Sequence, residues 1–181
     1  SAKKFQRLIV VTGDLSTKEW DDCEPTMLLD ELPELELFAD SVKTCVIIDD
    51  YEFEKCGSRE MRKLTTLFRM ISTHKSVSVM ASYQSFFHTP TICRKTANVF
   101  IVYKPTGDNE LVTIANRIGV PHEKLKKLFK KHCTDYYDML MFDMTKNTPY
   151  PVRKGIYENI PYNSDTDGES SDSDWLVNTN H

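Results

Sequence analysis

Residues 43–53 read KTCVIIDDYEF, and this stretch decides the fold. Six residues, Thr44 to Asp49, form an apolar run without alternation, as expected of a central parallel strand covered on both faces. The run ends on two adjacent carboxylates, Asp49 and Asp50. Two charges are costly inside a core unless paired or bound to a metal, so this end of the strand must reach solvent or an ion.

Working outward, RLIVVTG (7–13) predicts a second buried strand, stopped at Gly13. Between the two lies an acidic stretch, residues 14–40, with Lys18 as its only base and with Pro25 and Pro33 interrupting any long helix. Such a surface repels a nucleic-acid backbone. After 43–53, SREMRKLTTLFRMISTHK predicts a helix with Ser58 as N-cap and Met61, Leu64, Phe68 and Ile71 on one face. SVSVMASYQ (76–84) predicts a strand, TPTICRKTA (89–97) a short helix with Pro90 at its first position, and NVFIVY (98–103) a fourth strand. Helices over 107–119 and 121–133 follow, then a strand pair in YDMLMFDM and YPVRKGIY. Strands alternating with helices predict an α/β fold built on a mainly parallel sheet.

Length and composition agree with this reading. A chain of 181 residues, 40% apolar and 28% charged, can bury one substantial core, here assigned to residues 1–160. The net charge of −4 comes from the end of the chain. Residues 161–181 hold five acids and no base, leaving 22 of the 27 acids against all 23 bases. This serine-rich acidic segment is expected to be a disordered tail, with Ser170, Ser171 and Ser173 as candidate sites for an acid-directed kinase. Five scattered cysteines without a CxxC pair point to free thiols in a reducing, intracellular setting. No apolar run is long enough to cross a bilayer, and no membrane partner is expected.

In an open α/β sheet, functional residues gather beyond the carboxyl ends of the strands. Asp49, Asp50 and Gln84 all fall at such ends. A hard cation such as Mg²⁺ takes few carboxylates plus waters and phosphate oxygens, so Asp49 is a candidate to hold it through a water. Asp50 would orient or deprotonate an attacking water, and Gln84 would contact the water or a terminal phosphate. An aspartate-rich turn of no catalytic consequence is the alternative, and spacing alone does not separate the two.

The block CVIIDDYEFEK, a helix, then STHKSVSVMASYQSFFHTPTICRKTANVFIVYK resembles the packaging ATPases of large DNA viruses and of Polinton/Maverick elements, within the FtsK–HerA superfamily of P-loop DNA-translocating motors. The similarity spans roughly residues 7–160, and 44–104 is its specific part. It implies a P-loop NTPase-like (RecA/ASCE-type) sheet in which Asp49–Asp50 is the Walker B motif, Asp49 serving Mg²⁺ and Asp50 the catalytic water. Gln84 becomes the sensor and Arg94 an arginine finger acting on a neighbouring subunit, with Lys95 as the alternative. It also implies ATP and Mg²⁺ as cofactors of the intact protein, and double-stranded DNA, a ring of identical subunits and capsid proteins as partners. The setting would be the cytoplasm or nucleus of a virus-infected cell.

One element of that family is missing: no GxxxxGK[ST] occurs in the chain. GDLSTKE at 13–19 has no second glycine before Lys18, and Glu19 follows it. Family order places the Walker A loop before the strand at 7–12, upstream of Ser1. The expectation is therefore a Walker A-less core, lacking the first strand, that binds no nucleotide tightly. The alternative is a non-catalytic protein- or DNA-binding module derived from such an ATPase. An unrelated Mg²⁺-dependent phosphotransfer or nuclease domain is a third reading. For DNA the candidates are Lys126, Lys127, Lys130 and Lys131, on a helix whose strip of Leu125, Leu128, Phe129 and His132 would face the core. His88 near Cys93 is a weak nucleophile pair, without a third group to orient it.

Overall fold

The computed structural model describes residues 5–40, 42–146, 148 and 151–160. The tail assigned to 161–181 and its serines lie outside the described residues. Two compact units divide the chain, Ser1–Thr96 and Ala97–His181.

The first unit is a parallel sheet of four strands in the order β2-β1-β3-β4: β1 (Arg7–Thr12), β2 (Met27–Leu29), β3 (Thr44–Asp49) and β4 (Val77–Ala81). β3 lies between β1 and β4, pairing Ile9 with Val46 and Val46 with Val79. Alternate residues of each strand share one face, so Ile9 and Val11 of β1 join Val46 and Ile48 of β3 and Val77 of β4 in one core. Against that face packs the helical run of α1 (Ser58–Thr66), a π-helical turn (Leu67–Ile71) and α2 (Ser72–His74), contributing Leu64, Leu67 and Phe68. The expected helix is thus present, with Gly57 rather than Ser58 at the N-cap: Glu60 reaches back to accept the Gly57 N–H at 3.1 Å. Hydroxyls follow the run closely, Ser72 donating to the Phe68 carbonyl at 2.7 Å and Thr73 donating to that of Arg69 at 2.6 Å. α3 (Thr91–Thr96) closes the unit.

β4 is an edge strand, paired with β3 alone among the described residues. Its Val77 points into the core, whereas Ser78 and Met80 on the opposite face are exposed, Met80 by 56%.

The second unit holds β5 (Val99–Tyr103), α4 (Asp108–Ile118), α5 (His122–His132), β6 (Met139–Asp143), β7 (Val152–Lys154) and β8 (Glu158–Asn159). Its four strands run antiparallel in the order β5-β6-β7-β8. Here the observed sheet departs from the fourth parallel strand expected at 98–103. Phe100 is buried while Val99, Ile101 and Tyr103 are exposed, a one-sided pattern that suits an antiparallel strand. Phe129 of α5 meets Phe142 of β6 with ring centroids 6.4 Å apart, and α4 adds Leu111, Ile114 and Ile118 to this core.

Candidate functional site

Register brings the site together. Ile48 pairs with Ala81, so the next residues, Asp49 and Ser82, leave the sheet side by side. The Ser82 hydroxyl donates to Asp49 Oδ1 and accepts the Asp50 N–H at 3.4 Å. The Ser82 N–H donates to the Ile48 carbonyl at 2.9 Å, extending the ladder one step beyond the strands. Gln84 Nε2 donates to Asp50 Oδ1 at 3.1 Å. Asp49, Asp50 and Gln84, three residues singled out by sequence, therefore meet in one cluster.

Asp50 turns the chain sharply, with φ +48°, a left-handed conformation that aspartate and asparagine tolerate better than most residues. The turn brings its carbonyl against β1: a Cβ placed on Gly13 would lie 3.2 Å from the Asp50 oxygen. Glycine at 13 thus serves a close approach of two strand ends.

Sequence reading missed Ser82. It looked like a late strand residue, yet it holds both the Asp49 carboxylate and the Asp50 turn. Pairing the two predicted strands end to end would have set it beside Asp49.

An open cleft of about 680 Å³ lies at the ends of β1 and β3. Seven carboxylates line it (Asp14, Glu19, Asp30, Asp49, Asp50, Glu52 and Glu60), with Lys55 as the basic residue among them. Asp14 accepts the N–H of Ser16 at 2.8 Å and its hydroxyl at 2.6 Å, which together hold its carboxyl below the usual range. Seven carboxylates in one cleft repel phosphate groups. The metal side fits better. Each aspartate gives one oxygen to a neighbouring side chain and keeps the other outside those bonds, a donor set suited to a hard cation that retains waters. Among the described residues no group of three or more His, Cys, Asp or Glu could hold a metal by itself.

The other candidates of the first unit lie on α3 and in the loop before it. Arg94, half-buried on α3, donates to Thr91 Oγ1 at 3.3 Å and stacks over the Phe86 ring, 5.6 Å from its centroid. Lys95 beside it is exposed. Cys93 has no histidine partner: it accepts the Tyr83 hydroxyl at 3.3 Å, while His88 pairs with Glu54 at 3.5 Å. These contacts remove the His88–Cys93 nucleophile pair. Burial pushes the Cys93 thiol up to about 11, far from a thiolate at neutral pH. All five cysteines are free.

In the second unit, Leu125 and Phe129 of α5 are buried and Leu128 and His132 half-buried, as the helical spacing predicted. Lys126, Lys127, Lys130 and Lys131 are exposed, and Lys126 pairs with Asp108 at 3.1 Å. Among the described residues no helix is long and apolar enough to cross a membrane.

No protein-family model matches the chain, and no curated protein matches it. Solved structures do. One is the genome packaging NTPase B204 from Sulfolobus turreted icosahedral virus 2 in complex with AMP, at 17% identity and TM-score 0.58, covering 86% of this chain and 82% of that one. Another is B204, the DNA-packaging ATPase from Sulfolobus Turreted Icosahedral Virus, at 16% identity and TM-score 0.57, covering 88% and 84%. The first protein's complex with ATP-gammaS aligns at 17% identity and TM-score 0.54, covering 87% and 83%. At such identities the likeness is one of architecture: this chain has the fold of viral genome-packaging NTPases.

Proposed function

We propose that the chain is the hydrolytic part of a DNA-packaging ATPase, with Asp49–Asp50 as its Walker B pair. The observation that carries this reading is the meeting of Asp49, Asp50 and Gln84 at the carboxyl ends of two adjacent parallel strands. Asp50, held by Gln84 and by the Ser82-supported turn, orients the attacking water. Gln84, bonded to that same carboxylate, reports on the terminal phosphate. Asp49 holds Mg²⁺ through a water; the ion supplies charge neutralisation of the phosphates when bound.

The phosphate cradle comes from a further strand. Among the described residues β4 offers an unpaired edge, with Ser78 and Met80 exposed, next to the Asp50–Gln84 pair. A strand paired there would deliver a GxxxxGK[ST] loop on the side of the site away from the acidic cleft. An exposed flat edge is a template for such pairing. Arg94 then acts in trans in a ring of identical subunits, which requires it to leave its stack on Phe86. The lysines of α5 follow the phosphates of double-stranded DNA, and the FtsK–HerA superfamily is the wider group. Capsid proteins are further partners, inside an infected cell.

Asp50→Asn in a chain extended by the encoded sequence upstream of Ser1 tests the assignment. We expect ATP binding to be retained and turnover to fall by about 100-fold or more. Unchanged turnover removes Asp50 from catalysis. Absence of ATP binding in the extended chain favours the second reading, a non-catalytic module that keeps only the fold.

A further inference from the structure

At one end of the second unit, three tyrosine rings stand almost wholly in solvent: Tyr136 at 88%, Tyr137 at 82% and Tyr157 at 86% exposure. A lone exposed aromatic needs no explanation, but three on two adjoining loops do.

Both loops are firmly built. In the 134–138 turn, Asp138 Oδ2 accepts the backbone N–H groups of Thr134 and Asp135, each at 2.9 Å, and lies 3.4 Å from the Thr134 hydroxyl. Those bonds depress the Asp138 carboxyl and keep it charged. Its other oxygen receives Lys154 Nζ at 3.2 Å, which ties the turn to β7. The Gly155 N–H donates to the Met139 carbonyl at 2.8 Å, joining the β7–β8 turn to β6. That turn needs its glycine, at φ +60°, and presents Tyr157 two residues on. Tyr136 and Tyr137 pack edge to face, with centroids 5.1 Å apart. The backbone that carries the rings is therefore held, while the rings themselves stand in solvent.

Charge indicates what they meet. Described residues from His122 to Ile160 carry eight Lys or Arg against five Asp or Glu. Setting aside the Lys154–Asp138 and Arg153–Asp143 pairs leaves six bases against Glu123, Asp135 and Glu158. Lys130 and Lys131 are exposed in the last turn of α5, just before the tyrosine loop. Lys131, Lys154 and Glu158 all act electrostatically on half-buried His132, so the end of α5 neighbours the β7–β8 turn, to which Lys154 ties Asp138. A second copy of the chain docking through this same patch would set lysines against lysines. A polyanion with flat rings of its own would not.

We propose that Tyr136, Tyr137 and Tyr157 form a nucleic-acid contact with Lys130 and Lys131, the rings resting on bases and sugars and the lysines on phosphates. The packaging-motor reading gives this site its setting, but the contact itself is sequence-independent and separate from hydrolysis. Stacking of unpaired bases on aromatic rings tolerates every base, so the contact reads no sequence.

The test measures binding of the 181-residue chain to a labelled single strand and to a duplex, each about 20 units long, across a salt series. Tyr136→Ala with Tyr137→Ala weakens the single-strand complex about 5-fold or more and leaves the slope of log K on log salt unchanged. The duplex complex, with bases already stacked, weakens less. Tyr→Phe at both positions retains binding. Lys130→Gln with Lys131→Gln reduces the single-strand slope by about 1.4. Unchanged affinity of the alanine variant for both probes overturns the proposal. So does an alanine variant that alters only the oligomeric state in sedimentation, which would make the tyrosines a contact between copies. ATP turnover in the extended chain is scored separately: turnover with no tyrosine effect defeats this inference alone, and a tyrosine effect without turnover defeats only the motor reading.

Discussion

The turn at Asp50 makes a quantitative demand on the residue that occupies it. Its φ of +48° lies where an ordinary L-residue is disfavoured by about 1–2 kcal/mol, where aspartate and asparagine suffer less, and where glycine suffers nothing. Its side chain also accepts the Gln84 amide at 3.1 Å, a bond with a net contribution of about 0.5–1.5 kcal/mol. Asp50→Ala loses that bond and takes on the strain, so it should destabilise by about 2 kcal/mol. Asp50→Asn keeps the conformation and an acceptor oxygen, and should cost less than about 0.5 kcal/mol. Asp50→Gly loses the bond and gains unfolded-state entropy but relieves the strain, so it should fall between them at about 1 kcal/mol. Urea denaturation followed by circular dichroism measures all three. For a chain of this length, 1 kcal/mol corresponds to about 2–4 °C in Tm. An alanine variant as stable as the asparagine variant, or a glycine variant less stable than alanine, would refute the left-handed turn. The positioning argument for Asp50 would go with it.

Other expectations concern the core, the thiols and the strand-end packing. Leu64, fully buried against the β3 face, should cost about 2–5 kcal/mol when truncated to alanine, whereas Met70→Ala, at 59% exposure, should stay within about 0.5 kcal/mol in the same assay. Iodoacetamide at neutral pH should label exposed Cys23 and spare Cys93, as read by peptide mass. Burial raises the Cys93 thiol to about 11 from an ordinary value of 9.0, so its contribution to stability is complete below about pH 9 and is lost as pH rises toward about 11. Cys93→Ala should therefore flatten the alkaline decline of stability by up to about 1.4 kcal/mol per pH unit in that window. Gly13→Ala should shift the Asp50 backbone resonances, because its Cβ would press on the Asp50 carbonyl at 3.2 Å.

The central strand was legible as an unbroken apolar run, and the placement of Asp49 and Asp50 at its carboxyl end followed from that run. The helices at 108–118 and 122–132 were equally plain from their 3.6-residue spacing. β2 was not: three residues within an acidic, proline-broken stretch carry no period, and they become a strand only by pairing with β1 far away in sequence. β5 was found but put in the wrong sheet, since Val99, Phe100, Ile101 and Val102 are apolar whichever way they face. Alternation of burial cannot be read from letters that do not alternate. β8, two polar residues, is made by the Gly155 turn and had no signal of its own. At the site, the residue types were readable but Ser82 was not, because its role depends on register between strands more than thirty residues apart.

Among the described residues β4 has an open edge beside Asp50 and Gln84, and it is there that we propose the phosphate-binding strand pairs. ATP turnover should therefore be compared between the 181-residue chain and a chain extended by the encoded sequence upstream of Ser1, with β4 amide exchange followed in both. We expect negligible turnover in the first, turnover in the second, and protection of the Ser78 and Met80 region only when the extension is present. Turnover by the 181-residue chain alone that Asp50→Asn abolishes would contradict the proposal.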